Sequence, residues 1–134
     1  MQEKSVESVI NDSFLNDLFP PEKADEFFEA LYGGAEAGAF DISLHCLGFD
    51  SRHNVLHLEF RLTERPGKCL ACNLTYGLPE VFRRHPIINV AGIAAAIEEA
   101  LSPEWKVREW SLGHTQIISP QVNSIPLIIA LGQG

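Results

Sequence analysis

The sequence has few cysteines and no long apolar run. Its 134 residues include three cysteines, an odd number that argues against a disulfide framework and favours a reducing setting. No segment is long and apolar enough to span a bilayer, and the first residues are polar and acidic, unlike a secretory signal. We therefore expect a small, soluble, cytoplasmic protein.

Basic residues are also few. The net charge is −8, and residues 1–41 contain ten acids against two bases, which accounts for the whole excess. Residues 42–134 contain eight of each. Because nucleic acids and anionic membranes are bound mainly by cationic surfaces, we expect neither as a partner.

Motifs of the common enzyme classes are absent as well. The chain has no glycine-rich phosphate loop, nucleophile elbow, metalloprotease helix or kinase motif set. No motif for a cofactor is present, and we predict none. These absences favour a non-enzymatic protein, although catalysis without a known motif stays open.

Three stretches between residues 40 and 76 alternate apolar and polar residues, as strands with one buried face do. The apolar positions are Phe40, Ile42, Leu44 and Cys46, then Leu56, Leu58, Phe60 and Leu62, then Leu70, Cys72, Leu74 and Tyr76. The stretches are separated by polar or proline-glycine breaks at 50–53 and 64–68. We predict a meander of three antiparallel strands with one apolar face and one polar face.

The apolar faces restrict how these strands pair, because a one-residue slip turns every side chain of a strand to the other face. The predicted pairs are Phe40 with Leu62, Leu44 with Leu58, Leu62 with Leu70, and Leu58 with Leu74. On the polar face this register sets Asp41 opposite Arg61 and His45 opposite His57. A slip of two residues would keep the faces and change the partners.

Apolar spacing predicts two main helices, at 22–32 and 90–101, the second with Asn89 as its N-cap. Residues 6–18 predict an extra N-terminal helix, so that residues 1–19 are either docked or mobile. Further strands are expected at 105–112 and 125–131, with 115–119 extending the first of these. The resulting prediction is a single domain, 1–134, of the two-layer α+β class. Its antiparallel sheet has about five strands and carries both main helices on one face, in the order α-β-β-β-α-β-β.

This element order resembles that of the small acidic dimeric chaperones of type III secretion. The chain lacks their closing C-terminal helix and ends in an apolar strand. The resemblance is one of layout, and it carries no functional residues over to this sequence.

Apolar and small residues predict contacts with a second copy or another protein. The run 125–131 is apolar on both faces and needs cover on both, from a central place in the sheet or from a subunit interface, while Pro126 favours an edge. The small residues of the second main helix favour close packing on the sheet; the alternative is that Gly92 and Ala96, four apart on one helix face, meet a second copy. The predicted interface residues are Leu47, Phe49 and Val55, which form an apolar corner, with Gly92, Ala96, Leu127, Ile128 and Ile129.

Two groups could bind a metal ion. His45, His57 and Glu59 offer two imidazoles and a carboxylate on the polar face, a set that suits zinc or another divalent ion, although exposed histidines on a sheet are common. Cys69 and Cys72 form a paired-cysteine motif, but residues three apart in a strand face opposite sides, which favours a structural or incidental role.

An anion could bind before the second main helix. Arg83, Arg84 and His85 precede the N-cap Asn89 by a few residues, and helix N-termini attract anions through unpaired backbone N–H groups. The alternative is a solvated loop whose arginines balance the acidic N-terminal segment.

We expect a non-enzymatic protein-binding or adaptor module that forms a homodimer. The competing function is a domain or enzyme that binds a small anionic ligand at Arg83, Arg84 and His85.

Overall fold

Residues 6–32, 40–67 and 78–133 are described by a computed structural model. Their helices are α1 (Val6–Val9), α2 (Asp12–Leu18), α3 (Glu22–Tyr32), α4 (Leu78–Arg84) and α5 (Val90–Leu101), and their strands are β1 (Phe40–Asp50), β2 (Val55–Glu64), β3 (Trp105–Leu112), β4 (Gln116–Ser119) and β5 (Val122–Gln133). None of these helices has both the length and the apolar character needed to cross a bilayer.

The described strands form one antiparallel sheet. β2 pairs with β1 on one side and with β5 on the other, and the second edge of β5 is shared by β3 and β4. The predicted α+β architecture with an antiparallel sheet of five strands and helices packed on it is confirmed.

The helices pack on one face of this sheet, which we call the inner face. Phe60 of β2 is fully buried at its centre, with the ring of Phe19 edge-on at 5.5 Å and the ring of Phe82 edge-on at 5.3 Å. Phe82 in turn meets Phe27 of α3 at 5.4 Å. An aromatic cluster therefore ties β2 to the segment after α2, to α3 and to α4.

Alternation assigned the faces of β1 and β2 correctly but not their partners. Leu44 pairs with Phe60 and not with Leu58, and His45 pairs with Glu59 and not with His57. The observed register is displaced by two residues, because the hairpin continues to Asp50 and a bulge at Leu47 absorbs one residue of β1. A slip of two leaves the apolar pattern intact, so the pattern alone could not detect it.

The predicted pairing of β2 with a third consecutive strand is wrong. Leu58 faces Leu127 of β5, and Leu62 faces Asn123. A strand has two edges, and β1 and β5 occupy both edges of β2. The proposed partners Leu70 and Leu74 lie outside the described residues.

The position of β5 is central, as its two apolar faces require, and the edge position favoured by Pro126 is wrong. β3 pairs with residues 127–133 of β5 and β4 with residues 122–124, so Pro126 faces the gap between them. The Pro126 carbonyl accepts a hydrogen bond from the Gly113 N–H at 2.8 Å. The N–H and C=O of a strand residue point to the same side of the strand. The N–H that proline lacks would therefore point into the gap between β3 and β4, where no residue of either strand is paired with Pro126.

The irregular pattern of β3 also comes from a bulge. Arg108 is an extra residue between the paired Val107 and Glu109, and it shifts the alternation by one. Trp110 and Leu112 therefore share the inner face with Val107, and not with Lys106 as the unbroken count of the sequence indicates.

The N-terminal segment forms two helices instead of the predicted single one. α1 ends at Val9, and the Asn11 side chain caps α2 by accepting a hydrogen bond from the Phe14 N–H at 2.9 Å. Val6 of α1 and Leu15 of α2 are buried in the core cluster, so both helices pack against the core. The predicted bounds of α3 and α5 and the Asn89 cap of α5 are confirmed.

Candidate functional site: the open face of the sheet

The second face of the sheet, which we call the open face, carries the residues that alternate with the core. Exposed side chains on it are Asp41, His57, Thr63, Glu109 and Ser111. No helix among the described residues covers these positions. These positions of the open face are therefore accessible to another molecule.

A polar network occupies the middle of the open face. Glu59 is 7% exposed, and its Oε1 accepts a hydrogen bond from Ser124 Oγ at 2.6 Å. Its Oε2 accepts two from Arg61, from Nε at 2.9 Å and from Nη2 at 2.5 Å. Alternation places Glu59 and Arg61 two apart on one face of β2, and pairing with β5 brings Ser124 opposite Arg61. Glu59 thereby holds the Arg61 guanidinium against the open face of the sheet.

The Glu59 carboxylate is ionised in this setting. Its burial acts to raise its pKa, but the hydrogen bonds from Ser124 and Arg61, followed by the positive charge of Arg61, outweigh burial and hold the pKa below its ordinary value. His45, directly opposite on β1, adds a smaller effect in the same direction.

A second polar group lies at the β1 edge of the same face. His45 Nε2 is hydrogen-bonded to Ser43 Oγ at 2.8 Å, and His45 Nδ1 lies 3.7 Å from Asp12 Oδ1 at the start of α2. Both ring nitrogens thus face a partner. Asp12 is largely exposed, so its contact with His45 is weakly held.

A shallow groove of about 430 Å³ crosses the Glu59–Arg61 pair. Its walls include Leu47 on β1 and, across the sheet, Ile118 and Val122. Leu47 is 58% exposed and Ile118 61% exposed, both high for large apolar side chains. The groove combines a fixed guanidinium with apolar rims that are open to solvent.

The β1 bulge explains why Leu47 lies at this rim. Leu47 is the unpaired residue between Cys46 and Gly48, and Gly48 has a φ of +150°, a conformation that side chains rarely adopt. Phe49 beyond the bulge turns to the inner face, where its ring meets that of Trp105 at 5.6 Å. The three residues of the predicted apolar corner therefore do not form one surface. Phe49 lies on the inner face, whereas Leu47 is exposed at the groove and Val55 is half-buried.

The structure does not assemble the predicted metal ligands. His45 faces Glu59, while His57 pairs with Gly48 and is exposed. Both oxygens of Glu59 already accept hydrogen bonds. No group of three His, Cys, Asp or Glu side chains within residues 6–32, 40–67 and 78–133 is arranged to hold a metal ion.

The residues of the predicted anion site serve local contacts. Arg83 and Arg84 lie 3.4 Å and 3.6 Å from the carboxylate oxygens of Glu80. His85 packs edge-on to Phe27 at 4.9 Å, and its Nδ1 accepts a hydrogen bond from the Ile87 N–H at 3.2 Å. The start of α5 is capped by the Asn89 side chain, which accepts from the Gly92 N–H at 3.2 Å. Site and ligand here stay a prediction.

Two predicted interface groups have structural roles of their own. A Cβ on Gly92 would collide with the Asn89 side chain, so this glycine makes room for the cap of its own helix. Leu127 and Ile129 are fully buried in the core, whereas Ile128 lies on the open face opposite His57. Ala96 is half-buried on α5.

The cysteines supply no site among the described residues. Cys46 is a free thiol whose pKa is raised by burial. The Cys69–Cys72 motif lies outside the described residues.

Sequence reasoning missed Ser124 and Ile118 as members of the site. Ser124 is 65 positions from its partner Glu59, and only the pairing of β2 with β5 brings them together. Ile118 is an extra residue between the paired Ile117 and Ser119 of β4, so alternation does not predict on which face of the sheet it lies. The one available signal was Glu59 and Arg61 at strand spacing on the polar face.

Comparison with known proteins found no matching family model, no matching curated protein and no matching solved structure.

Proposed function

We propose that this protein is a non-enzymatic protein-binding or adaptor module that works as a homo-oligomer, with the open face of its sheet as the binding surface. The observation that carries this proposal is the groove on that face, where Leu47 and Ile118 are exposed beside the buried Glu59 carboxylate and its hydrogen-bond partners Arg61 and Ser124. Exposed apolar side chains that line a groove together with polar groups are typical of protein interaction sites.

The edge of β3 is poorly suited to pair with a strand from another molecule, which favours the open face over this edge as the contact surface. The Val107 N–H, which points away from β5, is bound by Glu98 Oε1 of α5 at 2.8 Å. The adjacent Arg108 bulge breaks the regular hydrogen-bonding row. Both features discourage the addition of a further strand.

The charge balance supports partners that are neither nucleic acid nor anionic membrane, and the odd cysteine count supports a cytoplasmic setting. At the site of the anion-binding alternative, Arg83 and Arg84 are exposed and lie beside Glu80, whose carboxylate offsets part of their charge.

Sedimentation velocity and native mass spectrometry over a range of concentration test the proposal. We expect a concentration-dependent oligomer, and a protein that is strictly monomeric at high micromolar concentration would contradict the homo-oligomer.

Ile117 and Ile118 supply a matched pair of variants. Both are 61% exposed neighbours on β4, but Ile118 lines the groove while Ile117 is in register with Asn123 at an inner-face position. Ile118→Asp should weaken association, and Ile117→Asp should leave it unchanged. Equal effects of both substitutions would argue against the open face as the contact.

A further inference from the structure

We propose that the groove binds a peptide that presents a carboxylate beside an apolar side chain, and that Arg61 is the residue that selects the carboxylate. This inference rests on the proposed function and names the chemistry of its partner. The open-face groove lined by Leu47, Arg61, Ile118 and Val122 is the site.

The guanidinium of Arg61 has donors to spare. Its Nε–H and one Nη2 N–H point to Glu59, and among the described residues no acceptor faces Nη1. An arginine has five N–H donors in a planar fork, and the edge formed by Nη1 and Nη2 matches the two oxygens of a carboxylate. The Arg61 side chain is 42% exposed, so this edge is reachable from the groove.

Glu59 positions this fork in advance. The carboxylate is itself held by Ser124 at 2.6 Å, so the arginine has a fixed anchor on the sheet. A pre-positioned side chain loses less conformational freedom on binding, which favours recognition. Arginine beside apolar side chains is also a common energetic centre of protein interfaces.

Most of the negative charge of the chain lies on the helices. α1 to α3 contain seven acids and one base, and all seven acids are exposed. Among them, Asp12 reaches the β1 edge of the open face, where its Oδ1 lies 3.7 Å from His45 Nδ1. Inside the groove the charge of Glu59 balances that of Arg61, so recognition of a carboxylate depends on the unused Nη1–Nη2 edge of the guanidinium and not on a net positive field.

The test is a titration with acetyl-Leu-Asp-Leu-amide and its neutral isostere acetyl-Leu-Asn-Leu-amide, followed by NMR at the Arg61 Nε–H and at the backbone amides of Leu47 and Ile118. We expect the Asp peptide to bind about tenfold more tightly, as a charge-assisted forked contact implies. A second pair, acetyl-Leu-Leu with a free carboxyl terminus and the same peptide amidated, distinguishes a chain-terminal carboxylate from an acidic side chain.

Arg61→Lys provides the variant arm. Lysine keeps the charge next to Glu59 but lacks the fork, so the preference for Asp over Asn should fall toward one. Arg52→Lys, in the exposed turn after β1, is the matched control and should change nothing.

Equal binding of the Asp and Asn peptides, or no binding of either by the parent protein, would overturn the inference. If the parent still forms an oligomer that Ile118→Asp weakens, the proposed function stands without it. Loss of self-association in Arg61→Lys without peptide binding by the parent would also overturn it, in favour of a second copy as the occupant.

Discussion

The inner and open faces belong to the same strands but differ in what fills them. The inner face of β2 carries Leu58, Phe60 and Leu62, all fully buried under the helices. The open face of the same strand carries His57, Glu59 and Arg61, where burial is confined to one carboxylate with its partners. The difference indicates that packing on the inner face stabilises the fold. The open face instead carries a hydrogen-bonded polar network, flanked by the exposed apolar side chains of Leu47 and Ile118.

The largest expected effect is on the inner face. Phe60→Ala should lower the free energy of unfolding by about 3–5 kcal/mol, because it empties the centre of the aromatic cluster formed with Phe19 and Phe82. Chemical denaturation followed by circular dichroism measures this. Leu47→Ala on the open face is the control, with an expected change within about 0.5 kcal/mol. Comparable losses in both variants would remove the distinction between the faces.

A smaller effect on the free energy of unfolding is expected from the polar network of Glu59, Arg61 and Ser124. Glu59→Gln should cost about 1–3 kcal/mol at neutral pH, because Arg61 loses its ionised partner and the hydrogen bonds are weakened. Arg61 is partly exposed, so solvent screening keeps this below the cost of breaking a fully buried ion pair. Unfolding of the parent and variant in parallel gives the difference, and a variant as stable as the parent would contradict the network's role.

The same carboxylate predicts a pH dependence. Since the pKa of Glu59 is lowered in the folded protein, its contribution to stability is fully present above the ordinary glutamate value of about 4.3 and is lost as the pH falls through the lowered pKa. The stability difference between parent and Glu59→Gln should therefore shrink on acidification. A difference that grows toward low pH would show that the pKa is raised instead.

The smallest effect concerns the proline in the central strand. Pro126→Ala should cost about 0.4–1 kcal/mol, mainly by making the unfolded chain more flexible, because Pro126 faces the gap between β3 and β4. Ile128→Pro, two residues along and paired with both neighbouring strands, should cost more, about 1–3 kcal/mol, because a ladder acceptor loses its donor. Thermal unfolding of both variants tests this, and a severe loss from Pro126→Ala would place that residue inside the ladder.

Local patterns in the sequence were sufficient for the fold class and for the faces of the strands. Alternation identified the buried positions of β2, which are Leu56, Leu58, Phe60 and Leu62, and the cap at Asn89 predicted the start of α5. Such features depend on residues close together in the chain. They are therefore visible without the structure.

Pairing and bulges were not predictable in the same way. The extra residues Leu47, Arg108 and Ile118 each interrupt a ladder, and alternation cannot distinguish a bulge from the end of a strand. The contact between Glu59 and Ser124 needs β5 beside β2, which the assumed three-strand meander excluded. The candidate site was missed in large part because it is assembled across strands that are distant in sequence.

The open face of the sheet is the proposed contact surface for other molecules. Hydroxyl-radical footprinting of the parent protein at low and high concentration tests it without any substitution. We predict that Leu47 and Ile118 become protected at high concentration while Ile117, equally exposed on the adjacent position, does not. Protection at Ile117 or on the exposed side of α5, with Leu47 and Ile118 unchanged, would rule out contact through the open face.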